Sequence, residues 1–154
     1  MTQPTQTRPL VLKVLVGLMV FLGLGGVFGG LGFLFDPSGA LMQLPLDLLS
    51  RTPFADYTQP GLFLFFILGV VPLVVAFALW KRPRWRPLHW LTRLDQTHWA
   101  WNASLIVSLI LIVWIGVEYL MIGFHWLQIV FGVQGVVMLG LALQPAVRDY
   151  YAEG

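Results

Sequence analysis

No Asp, Glu, Lys or Arg interrupts the 22 residues from Val14 to Phe35, nor the 20 from Gly61 to Trp80. Crossing the ~30 Å hydrocarbon layer of a bilayer takes ~20 helical residues. Lipid offers the backbone no hydrogen-bond partner, so a segment inside it must satisfy its own N–H and C=O groups. Two more stretches have this character: Ala100–Met121 carries Glu118 as its one charge, and Trp126–Leu143 is uncharged over 18 residues. The expected fold is all-α, a polytopic four-transmembrane-helix bundle forming one membrane domain over 1–154. Its spans fall near 10–35, 61–80, 99–122 and 124–143. Composition agrees, because only 10% of residues are charged, against roughly 25% in soluble domains. Too little polar surface is left to coat a globule in water. The absence of cysteine excludes disulfides, thiolate metal sites and cysteine nucleophiles. Arg8 and Lys13 precede the first run as they would in a signal peptide, but an apolar core of that kind has ~7–15 residues, so the run reads as a retained span.

The cations sort by side. Arg8, Lys13, Lys81, Arg82, Arg84, Arg86, Arg93 and Arg148 fall at one face of the expected bundle, and Arg51 alone at the other. Lys and Arg accumulate on the cytoplasmic side of membrane proteins. The expectation is a multi-pass protein of the cell inner (plasma) membrane with both termini cytoplasmic. The loop at 81–98 interleaves these cations with tryptophan, and five of the seven tryptophans lie at this face. Lys81, Arg82, Arg84 and Arg86 are expected to meet anionic phospholipid headgroups, with the tryptophans beside them at the interface. Flanking spans fix this loop on the bilayer, so no nucleic acid is expected as a partner.

"GLGGVFGGLG", Gly23 to Gly32, holds six glycines in ten residues. A dinucleotide fingerprint would need glycine where Phe28 stands, and no Lys-Ser/Thr follows for a P-loop. Leu24, Val27, Phe28 and Leu31 fill the gaps with lipid-soluble bulk. The segment is therefore read as a packed helix, with Gly25, Gly29 and Gly32 on one face and Gly23, Gly26 and Gly30 on a second beside it. Small-xxx-small patterns let neighbouring backbones approach closely. Gly132 and Gly135 offer a similar surface on the fourth span. Between the first two spans, Asp36-Pro37-Ser38-Gly39 reads as a turn. The segment 40–51 reads as a short amphipathic helix in the interface, with a start at Pro45 or a fold back over the bundle as alternatives.

Glu118 is the one ionisable residue well inside a span, and such carboxylates default to a functional hypothesis. Helical arithmetic places Ser104, Ser108 and Glu118 within about 80° of each other, and the turn after Ile122 returns His125 and Gln128 to similar depth. Glu118, His125, Gln128 and Ser108 are thus the candidate ligand-binding residues. A snorkelling, structural Glu118 is the competing reading. His89 and His98 lie at the opposite end from His125, so the three cannot share a metal or a haem. No metal site, cofactor or catalytic residue set is assigned, and an enzyme is disfavoured.

The pieces Asp36-Pro37-Ser38-Gly39, Thr52-Pro53-Phe54, Asp56-Tyr57, Pro60-Gly61 and Val117-Glu118 resemble an uncharacterised family of small four-span bacterial integral membrane proteins. That resemblance runs from about Gly23 to Tyr151 and implies a bacterial inner-membrane location without implying an activity. The glycine-rich first span leading into "DPSG" is also distantly similar to DoxX-type four-helix membrane proteins, from which no residue role is carried over.

The first functional expectation is a non-catalytic accessory, assembly or oligomeric subunit of a membrane complex, with a protein partner or a second copy on its glycine faces. The alternative is binding or transport of a small apolar ligand, a lipid or quinone-like molecule, in an outer-leaflet pocket near Glu118. The topology has its own test. Cysteines placed at Ser38 and at Thr92 should label from opposite sides of the membrane, and labelling of both from outside would overturn the orientation.

Overall fold

The computed structural model describes residues 7–83, 85 and 97–152. Among the described residues are five α-helices: α1 (Leu10–Phe35), α2 (Thr58–Lys81), α3 (Trp99–Ile122), α4 (Trp126–Ala142) and α5 (Pro145–Ala152). A six-residue 3-10 helix, Leu46–Arg51, lies in the α1–α2 connection, and no strand occurs among the described residues. α1 packs against α2 and α4, and α3 packs against α4 and α2, closing a ring of four. The outward surface is apolar: Phe28 is 72% exposed, Val133 57% and Leu120 82%. Helices α1, α2 and α3 are long and apolar enough to cross a membrane. The molecule is a helical bundle of the membrane kind.

The fourth helix departs from expectation. α4 begins at Trp126 rather than at 124 and has 17 residues, about 26 Å at ~1.5 Å per residue. It counts as a crossing only together with α5, from which it is bent by 55°. Pro145 starts α5 and has no N–H to extend the α4 ladder. α5 then turns under the bundle, where Val147 and Tyr151 are fully buried. The Tyr151 hydroxyl donates to the Leu79 carbonyl, and the His98 amide donates to the Tyr151 carbonyl at 3.2 Å. This short polar helix gives no apolar run and was not expected.

α1 and α2 meet backbone to backbone, on the second of the two glycine faces. A Cβ built on Gly26 would fall inside contact distance of the Leu68 carbonyl and 2.6 Å from the Gly69 amide nitrogen, and one on Gly30 would lie 2.5 Å from that of Phe65. One on Gly23 would lie 2.9 Å from the Gly69 carbonyl oxygen. The expectation that Gly25 and Gly29 pack against a neighbouring backbone is corrected: Gly29 has nothing within 4 Å, and Gly25 meets only the Phe131 ring at 3.6 Å. Gly32 meets the Met42 side chain, whose sulfur would be 2.6 Å away. On α4, Gly135 sits close against Ile112 of α3, with 2.9 Å for its Cβ, and Gly132 more loosely against Ile115 at 3.5 Å. Opposite Gly23 and Gly26, α2 widens into a π turn at Phe66–Val70. Pro72 follows and cannot donate to the Leu68 carbonyl, so the wider turn is where α2 absorbs its proline.

The 40–51 segment is not one helix. Gln43 has φ of 57°, a left-handed conformation that stops helix propagation, and regular structure resumes after Pro45 as the 3-10 turn. Asp36 roots the connection. Its carboxylate accepts from the Ser38 hydroxyl at 2.6 Å, the Leu41 amide at 2.7 Å and the Ser38 amide at 3.2 Å. Gly39 has φ of 77°, and a Cβ there would run into the Leu44 carbonyl.

Two outcomes are expected. Gly26→Leu should fail to fold or lose well over the ~1–3 kcal/mol typical of overpacking, while Gly29→Leu should melt close to wild type in detergent. Equal losses would refute the assignment of faces. The hydrogen bonds from Ser38 and Leu41 hold the Asp36 carboxyl below its ordinary 3.8. A carboxyl depressed in the folded state contributes stability above its ordinary value and loses it as pH falls through the folded value. Protection of the Leu41 amide, its exchange rate taken relative to the intrinsic rate at each pH, should therefore fall below about pH 3.8, and Asp36→Asn should remove that pH dependence.

Candidate functional site

The end of the bundle that carries Glu118 is hollow. A cavity of about 620 Å³ lies inside the ring there, within the ~300–1,000 Å³ usual for small-molecule sites. Each helix supplies a wall: Gly25 and Gly29 from α1, Leu64 and Leu68 from α2, Trp114 and Glu118 from α3, Gln128 and Phe131 from α4. The α1–α2 connection makes the roof with Met42, Leu49, Phe54 and Tyr57. Tyr57 is 4% exposed, stacks on Phe33 at 4.7 Å and donates to the Pro45 carbonyl at 3.2 Å. Burial raises its phenol above the ordinary value of 10.0.

Glu118, His125 and Gln128 all line this cavity. They do not have equal freedom. The Gln128 Oε1 accepts from the His125 amide at 3.1 Å, and its Nε2 donates to the Gly123 carbonyl at 3.0 Å. Together with the His125 side chain this forms a capping box on α4, so Gln128 is committed to ending one helix and starting the next. The His125 Nδ1 accepts from the Leu127 amide at 3.4 Å, which assigns the ring proton to Nε2. Glu118 takes one hydrogen bond, from Trp114 Nε1 to Oε1 at 2.8 Å, one turn away on the same helix. Its Oε2 has no partner among the described residues, and no ion pair joins it to His125. Among the described residues neither Lys nor Arg lines the cavity.

Ser108 is corrected. Helical arithmetic turns it inward, and it is fully buried, but its hydroxyl donates to the Ser104 carbonyl at 2.8 Å and it does not line the cavity. Thr52 is likewise spent, donating to the Leu49 carbonyl and accepting from the Phe54 amide. Gln134 ties α4 to α1 through the Leu18 carbonyl at 2.9 Å. Among the described residues no group of three or more His, Asp or Glu could hold a metal ion. Trp114 is the cavity residue that the sequence reading missed, and its i−4 spacing from Glu118 was the available signal.

At the opposite end, the headgroup set divides. Lys81 is exposed at the end of α2. Arg82 is not a free headgroup cation: with φ of 52° it turns inward, its guanidinium 3.8 Å from the Tyr150 ring centre and 4.6 Å from that of Tyr151. Arg84 and Arg86 lie outside the described residues, as do His89, Trp90 and Thr92. Trp99 and Trp101 belong to the bundle rather than the interface, 3% and 4% exposed, with Trp101 Nε1 donating to the Ala142 carbonyl. The cap of α3 is His98, whose Nδ1 accepts from the Ala100 amide. Searches against family models, curated proteins and solved structures found no match to this chain.

Proposed function

We propose that the protein binds a small apolar ligand, or moves one, in the cavity beside Glu118. The hollow itself carries this reading. An apolar chamber with one carboxylate oxygen left over has the make-up of a ligand site, which is mostly greasy with a few placed polar groups. The proposal includes four crossings, the fourth made by α4 continuing into α5, and cytoplasmic termini in a bacterial inner membrane. On that orientation the cavity faces the outer leaflet, the 3-10 helix lies in the outer interface, and Lys81 meets anionic phospholipid.

A second reading, an accessory or oligomeric subunit, is supported by Gly17, Gly116 and Gly140. A Cβ at each would meet nothing within 4 Å, leaving room for a helix of another chain to approach. Native mass spectrometry after mild detergent extraction separates the two. A near-stoichiometric small molecule is expected on the wild type. It should be depleted about tenfold in Glu118→Gln, for a lost hydrogen bond of ~1–1.5 kcal/mol. A co-purifying protein with an empty cavity would favour the second reading.

A further inference from the structure

α1 and α4 are tied along their inner halves and part above. Gln134 bonds the Leu18 carbonyl, Phe131 stacks on Phe21 at 6.4 Å, and the same Phe131 ring closes on Gly25. One turn further out, Gly29 has open space in front of it, although it lines the cavity. One turn beyond that, Met42 of the roof covers Gly32. The gap is thus bounded below by Phe131 and above by Met42, and Leu127 of α4, one turn from Phe131, lines the same cavity. Its outside is the lipid-facing surface marked by Phe28 and Leu127, 72% and 38% exposed.

We infer that this gap is a lateral window through which the cavity is loaded from the bilayer, and that its occupant is an uncharged amphiphile with a hydroxyl head. The inference rests on the cavity being a ligand site. Access from the side suits a molecule already dissolved in lipid, because its apolar body need never cross water. The chemistry of the head follows from what the walls leave unused. Glu118 Oε2 can accept and the His125 Nε2–H can donate, the pair a hydroxyl satisfies by donating to one and accepting from the other. A phosphate or carboxylate head would bring a negative charge beside Glu118 with no Lys or Arg among the described wall residues to offset it.

The chain has no cysteine, so a single one can be introduced at the window. Gly29→Cys protein in phosphatidylcholine vesicles would be blocked with a bulky apolar disulfide reagent, then mixed with vesicles carrying a brominated long-chain alcohol. Quenching of Trp114, isolated by subtracting a Trp114→Phe variant, reports occupancy. The expected result is quenching of the unblocked protein, at least tenfold slower after blocking and recovered on reduction. Gly17→Cys, at an open glycine of α1 away from the cavity, should be unaffected by the same block. A brominated fatty acid of equal length should quench at least tenfold less than the alcohol. Unchanged quenching after blocking Gly29→Cys overturns the window alone and leaves the cavity as a site. Equal quenching by the fatty acid overturns the assigned head chemistry. No Trp114 quenching by either probe in unblocked protein overturns the ligand reading itself.

Discussion

The contact of α1 with α2 at Gly26 and Gly69 sets the spacing of everything else. In lipid there is no hydrophobic drive to hold two apolar helices together, so their attraction comes from close van der Waals packing. That attraction falls steeply with any added gap. Leaving out the side chains at Gly23, Gly26 and Gly30 brings the α1 backbone against carbonyls and an amide of α2 that a Cβ would strike. α3 and α4 carry larger residues at their shared seam, Ile112 and Ile115 against Gly135 and Gly132. The outer end of the ring stays open as the 620 Å³ chamber.

Polar groups inside this bundle are few, and almost all are answered by backbone atoms. Ser104 and Ser108 bond carbonyls of their own helix, Gln134 a carbonyl of α1, Trp101 and Tyr151 the last carbonyls of α4 and α2. Helix ends have carbonyls without intrahelical partners, and at the base of this bundle aromatic donors supply them. Glu118 takes its one donor from a side chain, Trp114, and lines the apolar cavity. An oxygen left over in such surroundings is expensive unless something comes to meet it.

The parts that could be read from sequence depend on one helix at a time. The gaps between charges locate α1, α2 and α3. A rotation of 100° per residue puts Ser108 inside, and the short turn after Ile122 returns His125 and Gln128 to the end that carries Glu118. The parts that could not be read depend on which neighbour takes which face. Gly25-Gly29-Gly32 and Gly23-Gly26-Gly30 are equivalent as patterns, and only the position of α2 makes the second the contact and the first a wall of the chamber. The same holds for Arg82, whose inward turn needs the rings of Tyr150 and Tyr151, and for Tyr57, whose burial needs Phe33. α5 was illegible for a further reason. Eight residues with Arg148 and Asp149 among them look like a solvated tail until the hollow that receives Val147 and Tyr151 is known.

The seat of α5 has a consequence for the order in which the molecule is assembled. Translation runs from α1 to α5, so the helices that form the ring are made before the segment that closes its base. Until Tyr151 arrives, the Leu79 carbonyl lacks its hydroxyl donor and the His98 amide lacks its acceptor. The ring can gather in the bilayer by its glycine contacts, but its floor is incomplete for as long as α5 is missing. Final locking of α2 to α3 is therefore a late event in biogenesis, made from the water side by a polar helix rather than from within the lipid.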